Sequence, residues 1–197
     1  MRFSRTSKAL GMVAIAALAL TGCGGGSSTA GGSTGGNASK VIIADGSEPQ
    51  RPLMPADTNE VGGGKVIDMI FAGLVSYDPS GKPVNELAES IEGKDGKNFT
   101  IKIKKDQKFT NGEAITAKTF VDSWNFGAAA KNAQLSGAFF ESIKGYDEAS
   151  AEGSKVETMS GLKVVDDQTF TVELKQPESD WPLRLGYSAF VPVPSGA

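Results

Sequence analysis

Two pairs of carboxylates are the residues best suited to acid–base chemistry in this chain of 197 residues, Glu86 with Glu89 and Asp166 with Asp167. The chain contains no histidine, which excludes Ser–His and Cys–His nucleophiles and most zinc sites. Glu86 and Glu89 lie in a predicted short turn, and Asp166 and Asp167 join two strand-like runs. We therefore interpret both pairs as turn residues. The sequence predicts no catalytic residue, no metal site and no cofactor, and the protein is not expected to be an enzyme.

The N-terminus has the pattern of a secretory signal peptide. Three basic residues lie within residues 1–8, and residues 9–20 form an uncharged apolar run. A membrane-spanning helix needs about 20 apolar residues, so this run is too short to remain in the bilayer. We expect residues 1–22 to be a signal peptide that is removed from the mature protein.

Cys23 is the only cysteine of the chain, and it ends the sequence Leu20-Thr21-Gly22-Cys23, which resembles the bacterial lipobox. The resemblance implies cleavage before Cys23 and attachment of diacylglycerol to its sulfur. The new N-terminus is acylated as well in many species. Because two or more acyl chains hold a protein stably on a bilayer, Cys23 is the predicted lipid-attachment site and the bilayer a predicted partner.

The segment after this cysteine has the composition of a flexible tether. Residues 24–39 contain seven Gly and six Ser or Thr, without charge or large apolar side chains. Such a segment cannot bury enough surface to order itself. We expect residues 23–39 to hold the folded body roughly 20–24 Å from the membrane.

The charge balance disfavours anionic partners. The chain has a net charge of −3, which becomes about −6 when the three basic residues of the signal peptide are removed. A negative protein is disfavoured as a nucleic-acid binder or as a ligand of anionic membrane surfaces. The hydrophobic and charged fractions, 39% and 22%, are ordinary for a folded domain.

Hydrophobic periodicity predicts a body of mixed strands and helices. Short apolar or alternating runs indicate strands at Val41–Ala44 and Phe99–Lys104, and a hairpin over residues 162–174. Helical spacing predicts a helix over Lys65–Leu74 and a second helix capped by Thr116. The apolar face of this second helix comprises Ala117, Phe120, Val121, Trp124 and Ala128. We interpret Trp124 as a core residue rather than a platform for a ligand.

Several motifs follow one another in an order that a known family shares. They are Phe71–Leu74 at a helix end, the turn within Tyr77–Gly81, Leu87–Ser90, Phe99–Lys104 followed by Phe109–Ala117, and Val165–Val172. Together they resemble the extracellular solute-binding proteins of family 5, which serve ABC importers of peptides, nickel and opines, and in particular oligopeptide-binding lipoproteins. The chain departs from the usual pattern at Asn111, where Asp is commonest, and at Ala114, where Pro is.

The resemblance implies an α/β fold of the periplasmic-binding-protein type II, in which two lobes enclose the ligand. Residues 40–64 and 161–197 would belong to the first lobe, and residues 65–160 would form its extra subdomain. The second lobe lies outside this sequence, so we expect an N-terminal fragment of a longer protein. The implied protein is a monomer on the outer face of the bacterial cytoplasmic membrane, which is the periplasmic side in a Gram-negative cell, and it delivers peptides to permease subunits. A carrier of nickel or another small solute and a non-transport peptide sensor or adhesin remain alternatives.

The resemblance also points to a ligand-contacting stretch. Oligopeptide binders of this family pair the main chain of the ligand with protein strands, and one such stretch precedes the first long helix. Asn59, Glu60 and Val61 are the corresponding candidate substrate-binding residues here. The alternative is that they form an ordinary surface loop.

The lipid-anchor hypothesis predicts the result of metabolic labelling with a palmitate analogue. The wild-type protein is expected to carry the label and to sediment with membranes. Cys23→Ala removes the sulfur that the lipid requires, so this variant should lose both properties. Label that persists on the Cys23→Ala protein would rule out Cys23 as the attachment site.

Overall fold

Three α-helices, five short 3-10 helices and six strands form the part of the chain that the computed structural model describes, residues 45–196. The helices are α1 (Val61–Ile70), α2 (Ala117–Ala128) and α3 (Tyr146–Ser150). The strands are β1 (Val75–Tyr77), β2 (Pro83–Asn85), β3 (Ala88–Gly93), β4 (Asn98–Ile103), β5 (Leu162–Asp166) and β6 (Thr169–Glu173). The predicted signal peptide, Cys23, the tether and the strand over Val41–Ala44 lie outside these residues. None of the described helices has the length and apolar character to cross a membrane.

Strand β4 is one of the two central strands of an antiparallel sheet with the order β3-β4-β6-β5. Phe99, Ile101 and Ile103 are buried, whereas Thr100 and Lys102 are exposed. Because successive side chains of a strand point to opposite faces, one face of the sheet forms part of the core and the other faces solvent. The alternation predicted from the sequence is confirmed.

The hairpin of β5 and β6 completes this sheet. Strand β6 pairs with β4 from Asn98↔Glu173 to Lys102↔Thr169, and β5 forms the outer edge. The predicted hairpin is therefore confirmed, but it is not separated from the preceding strands. Strands β4 and β6 lie on either side of residue 160 in the chain and share one sheet and one core. The division into a first lobe and an extra subdomain stays a prediction.

Strand β3 was not predicted, since its region was interpreted as a turn. It pairs with β4 along the opposite edge, with Ile91 facing Ile101, and a register shift lies between Ala88 and Ser90. The alternation is weak because β3 is an edge strand with only Ala88 fully buried, so the periodic signal was missed. Glu89 consequently lies in a strand and not in a turn shared with Glu86.

Helix α2 lies against the buried face of the sheet and begins where the sequence predicted. The Thr116 hydroxyl accepts a hydrogen bond from the Thr119 amide (3.4 Å), and the Thr119 hydroxyl accepts one from the Thr116 amide (3.1 Å). This reciprocal pair is a capping box. All five residues of the predicted apolar face are buried.

Trp124 is the centre of an aromatic cluster that joins the helix, the sheet and the C-terminal segment. Its ring lies edge-on to Phe170 of β6 at 5.4 Å and to Phe190 at 5.3 Å between centroids. Its indole Nε1 donates a hydrogen bond to the Phe190 carbonyl oxygen at 2.9 Å. The prediction that Trp124 is a core residue is confirmed, since none of its surface is exposed.

The two tryptophans of the chain allow the contribution of this hydrogen bond to be measured. Trp124 and Trp181 are both fully buried, but Trp181 Nε1 has no hydrogen-bond partner among the described residues. Replacing either by Phe removes similar volume, while only Trp124→Phe leaves the Phe190 carbonyl unpaired. A buried polar group without a partner costs about 1–3 kcal/mol.

We therefore expect Trp124→Phe to lower the free energy of unfolding by about 1–3 kcal/mol more than Trp181→Phe does. Urea denaturation of the two variants measures this difference. Equal losses would show that the hydrogen bond to Phe190 contributes nothing net.

Candidate ligand-binding cleft

A cleft of about 620 Å³ opens between the start of α1, strand β1 and the C-terminal segment. One wall consists of residues 58–61 and the following turns of α1. The others are formed by β1 with Glu86 and by residues 186–188 with Val191. Asn59, Glu60 and Val61, which the sequence predicted as ligand contacts, are thus brought together along this cleft.

The chain that leads into the cleft is held in place by a second loop. The Ser136 amide donates to the Ala56 carbonyl oxygen at 2.9 Å, and the Leu135 amide donates to a carboxylate oxygen of Asp57 at 3.2 Å. The same carboxylate forms an ion pair with Arg51 at 3.0 Å. Thr58, which is almost fully buried, ends this anchored stretch. Residues 59–61 therefore project from a fixed base.

Glu60 has a structural role at the start of α1. Its backbone is extended, with φ −115° and ψ 161°, and its carboxylate accepts a hydrogen bond from the Gly63 amide at 2.8 Å. Glu60 is therefore the N-cap of the helix. The helix begins at Val61, four residues before the start that the sequence predicted, and it ends at Ile70 rather than at Leu74. The sequence did not indicate this helix start, because the residues after Val61 are glycines and glycine is a poor helix former.

Two glycines of that run allow neighbouring atoms to approach closely. A Cβ on Gly62 would lie 2.5 Å from the Ser47 hydroxyl oxygen and 2.6 Å from the Ser47 carbonyl oxygen. A Cβ on Gly63 would lie 2.4 Å from the capping carboxylate of Glu60. Gly64, in contrast, has nothing within 4 Å of that position. The first two glycines are thus required by packing and the third is not.

The Val61 amide is one of the main-chain donors of this segment for which the described residues supply no acceptor. Val61 is the first residue of α1, so its N–H has no acceptor within the helix. No described residue outside the helix accepts a hydrogen bond from it, and the side chain is 72% exposed. The wall of the cleft therefore presents a main-chain donor on a preformed backbone.

Three aromatic residues of the cleft were not identified as site residues from the sequence. Phe71, Tyr77 and Tyr187 contribute to its lining. Tyr77 was interpreted only as a residue at the start of a turn, and Tyr187 was not interpreted at all. Nothing in their local spacing indicates that they meet, since Tyr77 and Tyr187 lie more than a hundred positions apart in the chain.

The two carboxylate pairs, Glu86 with Glu89 and Asp166 with Asp167, do not converge on a site. The Asp166 carboxylate accepts a hydrogen bond from the Gln168 amide at 2.9 Å, and this bond holds the pKa of Asp166 below its ordinary value. A carboxylate held in its ionised form in this way is typical of a turn. Only Glu86 of the four lines the cleft. Within residues 45–196, no group of three or more acidic, Cys or His side chains is arranged to hold a metal ion.

Sequence comparison decides the family. Residues 82–196 match the model of the bacterial extracellular solute-binding proteins, family 5, middle region. The chain belongs to this family.

This family-5 chain is similar to curated oligopeptide-binding proteins. It is 33% identical over 159 residues to the periplasmic oligopeptide-binding protein OppA of Escherichia coli K12. It is 29% identical over 142 residues to the oligopeptide-binding protein OppA of Bacillus subtilis 168. These alignments cover 80% and 72% of this chain but only 29% and 26% of the relatives.

Solved structures agree with this assignment. Haemophilus influenzae OppA in complex with the peptide RPPGFSPFR superposes with a TM-score of 0.71 at 28% identity, over 76% of this chain. The unliganded open form of the murein tripeptide-binding protein MppA gives a TM-score of 0.70 at 25% identity. The predicted type II periplasmic-binding-protein fold is confirmed, and the chain spans about 29% of the length of both proteins.

The glycine run at the start of α1 gives a test of the geometry of the cleft wall. Gly64→Ala is expected to raise the free energy of unfolding by up to about 1 kcal/mol, because alanine favours a helix and meets no neighbour here. Gly62→Ala makes the same change in propensity but forces its Cβ against Ser47, so a net loss is expected. Thermal unfolding of the two variants measures the difference. Equal stabilisation by both would contradict the close approach of Ser47.

Proposed function

We propose that this chain supplies one wall of the peptide-binding cleft in the substrate-binding subunit of an ABC importer. The observation that carries the proposal is the Val61 amide, a main-chain donor without an acceptor among residues 45–196, held on an anchored segment at the cleft. An extended peptide offers one carbonyl acceptor per residue, irrespective of its side chains. Pairing with main-chain groups therefore suits a carrier that accepts peptides of varied sequence.

The contacts that hold the donor favour binding over an ordinary surface loop. Asp57 and Ala56 are tied to the loop at residues 135–136, and Glu60 caps the helix that follows. A donor whose backbone is already ordered loses little conformational entropy when a ligand binds. We assign to Asn59 and Glu60 the role of shaping the segment and to Val61 the role of pairing with the ligand.

The relatives support the same ligand class. Several curated proteins that match this chain are named oligopeptide-binding proteins, and matched structures of Haemophilus influenzae and Listeria monocytogenes OppA contain bound peptide. A cleft encloses a ligand only when both walls are present. The opposing wall would come from the part of such proteins that lies outside this chain.

We further propose that the protein is anchored to the outer face of the bacterial cytoplasmic membrane through lipid on Cys23. From there it would capture peptides and deliver them, as a monomer, to the membrane permease subunits. The support is the lipobox-like sequence and the tether-like composition of residues 23–39. The tether would leave the folded body free to reach a permease.

Replacing Val61 by proline tests the proposed pairing with little disturbance of the fold. Proline is well tolerated at the first position of a helix, where its missing N–H has no intrahelical acceptor. The extended backbone of Glu60 is also the conformation that a residue before proline prefers. Val61→Pro should therefore melt close to the wild-type temperature while it lacks the donor.

Val61→Ala is the matched control, because it shortens the side chain and keeps the N–H. With the protein at its native full length, we expect Val61→Pro to bind a mixed peptide pool about tenfold more weakly, as loss of the hydrogen bond and an unpaired ligand carbonyl predict. Val61→Ala should bind within about twofold of the wild type. Isothermal titration calorimetry measures both. Wild-type affinity in a well-folded Val61→Pro protein would remove this amide from the site.

A further inference from the structure

Tyr77 is held against the cleft wall by two contacts with the same segment of chain. Its phenolic O–H donates a hydrogen bond to the Leu183 carbonyl oxygen. Its ring lies over the backbone of Gly186, three residues further on. The side chain is still 47% exposed and lines the cleft. The ring is thus fixed on one side and open to a ligand on the other.

Gly186 is the residue that leaves room for this ring. A Cβ on Gly186 would lie 2.5 Å from Cε2 of Tyr77 and 2.8 Å from its Cζ and Oη atoms. Gly186 does not have a positive φ, so the backbone does not require glycine at this position. The close approach of the Tyr77 ring is the contact that a side chain would prevent.

Tyr187 follows directly and is oriented by a different contact. Its ring stacks on Phe139 with a centroid separation of 4.0 Å and an interplanar angle of 17°. Like Tyr77, it contributes to the lining of the cleft. The wall formed by residues 186–188 therefore carries the fixed ring of Tyr187 and lies beside the fixed ring of Tyr77.

We propose that Tyr77 and Tyr187 form an aromatic subsite that receives a ring side chain of the bound peptide, and that Gly186 positions Tyr77 for this contact. The inference rests on the proposed function and adds a side-chain preference to main-chain pairing. Aromatic rings attract one another in offset or edge-on arrangements beyond the effect of buried area alone. Rings that are already fixed lose little entropy on binding.

The aromatic residues of the lining give a ring side chain a partner on the cleft wall. The lining is mainly apolar, and its charged residues are Lys65 and the carboxylates of Glu60, Asp68 and Glu86. These charges do not disfavour a basic side chain, so the two rings alone carry the preference. They predict that a Phe-like residue is favoured at one position of the peptide.

The test compares penta-alanine with five peptides that carry a single Phe and five that carry a single Lys, one at each position. With the wild-type protein at its native full length, calorimetry should show one Phe peptide that binds about two- to tenfold more tightly than penta-alanine. Tyr77→Ala and Gly186→Ala should lose most of this gain, measured for each variant relative to its own affinity for penta-alanine. Tyr77→Phe keeps the ring and should keep most of the gain.

A double substitution shows whether Gly186 acts through Tyr77. Gly186→Ala should reduce the Phe gain in the wild-type background and change nothing further in Tyr77→Ala, because the ring that it displaces is then absent. Thermal melting checks that each variant is folded, and Tyr77→Leu replaces Tyr77→Ala if the latter is not. Tyr187→Ala gives an independent measure of the second ring.

Two results overturn the proposal, and they are distinguishable. Binding of penta-alanine with an equal Phe gain in wild type and Tyr77→Ala, or a Lys gain that exceeds the Phe gain at the same peptide position, rejects the subsite and leaves peptide capture intact. Absence of binding for every peptide by a folded wild-type protein rejects the proposed function, and the subsite with it.

Discussion

The packing around Trp124 determines where the C-terminal wall of the cleft lies. Its indole N–H donates to the Phe190 carbonyl oxygen, and the Ser123 hydroxyl accepts a hydrogen bond from the Val193 amide at 3.0 Å. Two successive residues of α2 thus hold the chain on either side of residue 191. Because the cleft residues 186–188 directly precede this point, their position depends on the aromatic core beneath them. The geometry of the candidate site therefore depends on the packing of the core.

The other wall depends on contacts of a different kind. Residues 56–58 are fixed by hydrogen bonds to the loop at 135–136, and α1 starts where the Glu60 carboxylate caps it. These contacts are polar and include a hydrogen bond between the buried residues Ala56 and Ser136, whereas the Trp124 cluster is apolar. They fix the backbone that leads into residues 59–61. We infer that the contacts at residues 56–60 mainly order the binding segment.

Much of the fold could be predicted because its strongest elements have clear periodic patterns. Strand β4 alternates without interruption, the β5–β6 hairpin has a polar turn, and α2 combines a threonine cap with a continuous apolar face. Strand β3 could not be predicted, since an edge strand buries few side chains. The start of α1 was wrong by four residues because glycine has low helix propensity, and only the approach of Ser47 explains why glycine is present.

The site was predictable only in part, because the fold and not a local sequence pattern brings its residues together. Asn59, Glu60 and Val61 came from a resemblance to family members, and the structure brings them to a cleft. Their division of roles, with Glu60 as cap and Val61 as donor, depends on the exact position of the helix start. The pairing of Tyr77 with Gly186 joins parts of the chain more than a hundred residues apart. No local pattern contains that information.

The central claim is that a peptide pairs with the main chain at the first turn of α1. The most direct measurement is the amide spectrum of the isotopically labelled full-length protein during titration with peptide. The account predicts a large downfield shift and slower hydrogen exchange at the Val61 amide, with little change at Met69, which lies in the last turn of the same helix. Saturable peptide binding that leaves the Val61 amide unchanged would contradict it.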